Sequence, residues 1–223
     1  MVIRSMIFKE WVKVRWFLLL YTLLAVLAVA YIFIRVRHDI TFHEANNYWY
    51  FILFQGHSWF RLLRYIPLAG GLVLAVAQYF PETVNKRIKL TFHLPVEENC
   101  SLLMMMQFGT LCLLACFLLL FLLLCGLSRV WFPTEIIFSA VVSVTPWFLA
   151  GFAAYYLAAL IILEPVWLRR ILYLLVAAAF VPLYLTGSVP GGYGPAILAL
   201  FLLTCLLSVA LLFSGYRFRK GEM

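Results

Sequence analysis

The sequence predicts an all-α integral membrane protein with six spanning helices, and three observations lead there. Hydrophobic residues make up 66% of the 223 and charged residues only 12%, with a mean hydropathy of +1.03, whereas a soluble domain is about 45–50% apolar and about 25% charged. Apolar runs of bilayer length occur at about 17–36, 62–80, 102–126, 136–163, 171–187 and 194–216. The basic residues partition cleanly between the two sides that six spans create. With both termini inside, the inner side receives Arg4, Lys9, Lys13, Arg15, Lys86, Arg87, Lys89, Arg169, Arg170, Arg217, Arg219 and Lys220, which is 12 of the 17 Lys and Arg. Only Arg35, Arg37, Arg61, Arg64 and Arg129 fall outside. Cytoplasmic loops carry such an excess, so both termini are expected to be cytoplasmic. A water-soluble globule is excluded, and one transmembrane domain over 1–223 accounts for the whole length.

The first 16 residues, MVIRSMIFKEWVKVRW, are amphipathic if helical. Met6, Phe8, Trp11, Val12 and Trp16 supply apolar surface and Arg4, Lys9, Glu10, Lys13 and Arg15 a charged one, which predicts an interfacial helix along the inner surface before a turn into the membrane. The bland alternative is an ordinary basic flank of the first span. No A-x-A-like cleavage site precedes that span, so it is expected to remain in the mature protein.

The first outer connection, RHDITFHEANNYWYFILFQGHSW, is long, aromatic and mildly polar. It reads as a short interfacial helix on the outer leaflet, or as an access path for an amphiphile. His38, Asp39, His43 and Glu44 cluster there; a weak metal site is the sharper reading and a solvated loop the plainer one, and no metal is assigned.

Residues 81–101, PETVNKRIKLTFHLPVEENCS, form the one long charged stretch between two strongly apolar segments. On a helical reading Val84, Ile88 and Phe92 fall at four-residue steps on one face, with Lys86, Arg87 and Lys89 largely elsewhere. Such a ridge suits the groove of a partner protein; it would equally rest on its own helices or on lipid, with the cations meeting headgroups.

The third span contains the trio Met104–Met106, adaptable side chains that suit either plain packing or a moving junction. Pro146 and Pro182 lie inside the fourth and fifth runs and are candidate kinks. Trp131, Trp147 and Trp167 lie near predicted span ends and are expected to anchor in the headgroup layer. Arg169 and Arg170 follow Pro165 in a short inner turn beside Glu164, and TGSVPGGYGP (186–195) makes the last two spans a tight outer hairpin. Gln107, Thr110, Ser139, Ser143, Thr145 and Ser208 are polar groups within spans, expected to make helix-packing hydrogen bonds worth about 0.6–2 kcal/mol each.

Several chemistries find no residues to carry them. There is no G-x-x-x-x-G-K-[ST] phosphate loop, so the chain is not expected to hydrolyse ATP. No C-x-x-C-H occurs and no histidine pair lies within a span as haem ligation would need. Cys112, Cys116, Cys125 and Cys205 lie in apolar runs, which argues against a disulfide framework. Proton-coupled carriers place carboxylates deep in the bilayer, and these spans lack them. A lipid-processing enzyme would need a polar catalytic cluster at one surface, and none is evident.

An interfacial N-terminal helix, six spans with both ends inside, and a charged amphipathic loop between spans two and three together resemble the membrane subunits of type-2 ATP-binding-cassette (ABC) exporters. In that family the segment before the first span is an elbow helix, here IFKEWVKVRWF, and the second-to-third loop holds a coupling helix. Locally, an acidic residue, a basic amphipathic stretch and a Leu-Pro turn match Glu82, NKRIKLTFH and Leu94-Pro95. The resemblance implies that residues 82–98 insert into a groove on a separately encoded ATPase, through Glu82, Val84, Lys86, Arg87, Ile88, Lys89, Phe92 and Pro95. It implies ATP and Mg in that partner and none in this chain, a second permease subunit, identical or related, across a two-fold pathway, contact with membrane lipid, and no nucleic acid. The location implied is the plasma membrane, the inner membrane in a bacterium. The expected role is export of a hydrophobic or amphiphilic substrate; the rival is a non-transporting scaffold or assembly subunit whose loop recruits a cytoplasmic partner.

Overall fold

Every regular element in the computed structural model, which describes residues 2–83, 98–187 and 191–220, is helical. In chain order these are α1 (Val2–His43), α2 (Ala45–Phe54), a 3-10 segment (Arg61–Tyr65), α3 (Ile66–Thr83), α4 (Glu98–Trp131), α5 (Thr134–Leu163), α6 (Trp167–Leu185), a 3-10 turn (Gly194–Ala196) and α7 (Ile197–Lys220). Among the described residues six helices are long and apolar enough to cross a membrane: α1 and α3 to α7. The six expected spans are therefore present, each longer or shifted by a few residues.

The N-terminal segment departs from expectation. No turn separates residues 2–16 from the first long apolar run; α1 is one helix of 42 residues. The cause is compositional, because no Gly or Pro occurs between Val2 and His43 to interrupt it. At about 1.5 Å per residue it is roughly 63 Å long, about twice the ~30 Å of hydrocarbon. It stops at Glu44, whose φ of 60° reverses the chain into α2. The short outer helix expected in this connection is α2, with Tyr48 and Ile52 buried and Tyr50, Leu53 and Phe54 exposed.

The bundle is built around α5. Over half of its apolar window (56%) is buried, against 11% in α6 and 17% in the last span, so α5 is the central post and the final hairpin is peripheral. Its closest neighbour is α3, and small residues bring the two together. A Cβ placed on Gly71 would collide with the Gly151 carbonyl, so the two backbones touch where side chains would otherwise hold them apart. Near the start of α5, Trp59 stacks on Phe132 (4.8 Å) and meets Phe33 (5.6 Å), while Phe60 meets Trp147 (5.5 Å). Trp147 is thus a buried core residue rather than a headgroup anchor, because it faces Phe60 from the middle of α5. Trp167, by contrast, is exposed at the start of α6. Both α5 and α6 continue helically through Pro146 and Pro182.

The connection between α6 and α7 closes on one side chain. Tyr193 accepts from the Gly187 amide (2.7 Å) and donates to the Leu183 carbonyl (2.9 Å). Gly191, at φ 79°, turns the chain where a side chain would be strained, and its amide donates to Ser143 Oγ on α5 (2.8 Å). The remaining span hydroxyls mostly bond one turn back: Thr110 to Met106 O, Thr145 to Val141 O and Ser208 to Cys205 O. Gln107 is exposed on α4. At the turn between α5 and α6 Glu164 is buried, with Arg170 donating to its backbone carbonyl (2.7 Å) and Arg169 3.9 Å from its carboxylate.

Candidate functional site at the foot of α3

The last turns of α3 place Gln78, Tyr79 and Glu82 in the interior, all buried. Helical spacing puts residues 78 and 82 one above the other on the same face. The first turns of α1 bring up a matching set. Glu10 and Lys13 sit three residues apart and bond at 2.6 Å, and Val14 beside them is fully buried. Lys13 Nζ also lies 2.5 Å from Glu82 Oε1, and Lys9 Nζ lies 2.8 Å from the same oxygen.

From this ion cluster the polar chain runs inward through Gln78. Its amide donates to Glu10 Oε2 (3.2 Å) and to the Met105 carbonyl of α4 (2.7 Å). The Gln78 carbonyl accepts from Tyr155 of α5 (2.7 Å), whose hydroxyl is 3.2 Å from that of Tyr79. Gly109 of α4 supplies the room, since a Cβ there would meet Tyr155 and Gln78. Four helices are thereby joined by one network around Gln78.

Electrostatics explain why the cluster tolerates burial. Among the described residues two lysines face two carboxylates, and each carboxylate has at least one cation or amide donor in contact. Unpaired, a charge at this depth would cost several kcal/mol. The arrangement positions no nucleophile against a general base. Its chemical capacity is mechanical: a displacement of Glu82 is felt by α1 directly, and through Glu10 and Gln78 by α4 and α5.

Of the site residues named from sequence, Glu82 is the one described; Val84, Lys86, Arg87, Ile88, Lys89, Phe92 and Pro95 lie outside the described residues. The Glu82 carboxylate is held by Lys9 and Lys13 of α1. Sequence reasoning assigned Lys9, Glu10 and Lys13 to a headgroup-facing surface and passed over Gln78, Tyr79 and Tyr155. The available signal was Gln78, one amide in the apolar run LVLAVAQYF, one helical turn before the acid of the same helix. At the end of α1 His38 pairs with Asp39 at 3.5 Å, and no cluster of three His, Cys, Asp or Glu side chains is assembled among the described residues. Cys112, Cys116, Cys125 and Cys205 are free thiols. No protein-family model, curated protein or solved structure matches the chain.

Proposed function

We propose that this chain is the membrane-spanning permease subunit of an ABC exporter, paired with a second permease and driven by a separately encoded ATPase that binds ATP and Mg. The observation that carries the reading is the Lys9–Glu82–Lys13 contact. It ties the foot of α3, where the charged inner connection begins, to the N-terminal turns of α1. A partner pressing on residues 84–97 would load α3 at Glu82, and the buried network would pass that load to α1, α4 and α5. Such a rigid transmission element is what a two-state transport cycle requires.

The orientation that fits is both termini in the cytoplasm, in the plasma membrane or bacterial inner membrane, with the basic inner connection facing the ATPase. Pairing of two subunits fits the outward apolar faces of α6 and α7, where Leu168, Leu172, Leu198 and Leu202 are all exposed. The cargo that suits so apolar a bundle is hydrophobic or amphiphilic.

The test is Phe92→Asp, which puts a charge on the proposed docking ridge. The variant is expected to remain folded and membrane-inserted while the ATPase no longer co-purifies with it and export stops. Partner binding and export that both survive the substitution would remove residues 82–98 from the coupling role. An intact native complex lacking any nucleotide-binding chain would favour the scaffold.

A further inference from the structure

At the opposite end of the molecule, α1, α2 and the chain leading into α3 enclose two adjoining cavities of about 530 and 260 Å³. They share Asp39, Tyr48, His57, Ser58 and Arg61, and Arg35 lines the smaller one. Neither Arg35 nor Arg61 takes part in an ion pair among the described residues, while Asp39 faces His38. The two guanidinium groups outnumber the single carboxylate among the lining residues, leaving one positive charge in excess.

Tyr31, Phe51 and Leu62 line the same cavities and are exposed, as are Arg35 and Arg61, so apolar and cationic side chains border the openings together. Tyr48 adds a donor that stays protonated: burial, reinforced by Asp39 and partly offset by Arg35, pushes its phenol up to about 12. Arginine forks match the oxygens of a phosphate in paired geometry.

We infer that this outer cavity binds the phosphate-bearing headgroup of an anionic lipid, with Arg35 and Arg61 holding the phosphate and the apolar rim meeting the acyl chains. Charge balance selects an anion, and the apolar rim selects a lipid over a soluble phosphate ester. The inference requires only that the chain is embedded in a bilayer, so it stands or falls separately from the permease reading.

The test is native mass spectrometry of the purified full chain, titrated with phosphatidylglycerol, with phosphatidylcholine of the same acyl chains, and with glycerol phosphate. Phosphatidylglycerol is expected to bind in preference to phosphatidylcholine. Arg35→Gln and Arg61→Gln should each weaken it by about tenfold, the scale of one lost charge-assisted contact. Arg129→Gln, at another outer arginine away from the cavity, should leave it unchanged. Asp39→Asn should strengthen it, a change of opposite sign that misfolding would not produce. Parent-like affinity in the double variant Arg35→Gln/Arg61→Gln, or equal binding of the two lipids, overturns the site. Displacement of phosphatidylglycerol by glycerol phosphate would keep the phosphate chemistry and overturn the lipid as its source.

Discussion

Replacing Glu82 by Gln keeps the shape of the side chain and removes one charge from the buried cluster at the foot of α3. Breaking a buried ion pair costs about 3–5 kcal/mol when the remaining charge is stranded. Two features lower that figure here. Lys13 keeps Glu10 at 2.6 Å, and the Lys9 side chain is 44% exposed and can turn to water. The expected loss is therefore about 2–3 kcal/mol, or roughly 5–10 °C in apparent melting temperature for a chain of this size. The assay is thermal unfolding of the purified protein in one detergent at one scan rate. Lys13→Met and the double variant complete a cycle, and the double loss should fall short of the sum of the single losses by about 0.5–3 kcal/mol, because both changes remove the same contact. A Glu82→Gln protein melting within about 2 °C of the parent, or strict additivity in the cycle, would refute the claim that this cluster locks α1 to α3.

Two further outcomes probe the core that the cluster rests on. Gly71→Ala should destabilise by about 1–3 kcal/mol, since the added methyl meets the Gly151 carbonyl, a backbone atom that cannot rotate aside; the same thermal assay reads it. Tyr155→Phe removes the donor to Gln78 while preserving the ring, and should cost about 1–2 kcal/mol, measured as a lower melting temperature.

The six long apolar helices were legible because bilayer-length apolar runs leave few alternatives. The site at the foot of α3 was harder to see. Lys9, Glu10 and Lys13 follow a pattern that suits a headgroup-facing helix equally well, and nothing local reveals that Glu10 turns inward to Gln78, 68 residues further on. That contact depends on α1 running as one unbroken helix, a property set by the absence of breakers rather than by any positive signal. Trp147 illustrates the opposite difficulty. Tryptophan is common at membrane interfaces, and what overrules that preference is Phe60, a residue from a distant connection whose position is a product of the fold.

The bond between Gln78 and Tyr155 also has a temporal side. Its two partners are 77 residues apart, and at about 5–20 residues per second the ribosome takes roughly 4–15 s to make the interval between them. Throughout that time the amide oxygen of a partly synthesised chain is inside or beside the membrane without its eventual donor. The nascent α3 must therefore be sheltered, by the insertion machinery or by water held at the membrane surface, until the fourth span emerges and seals it.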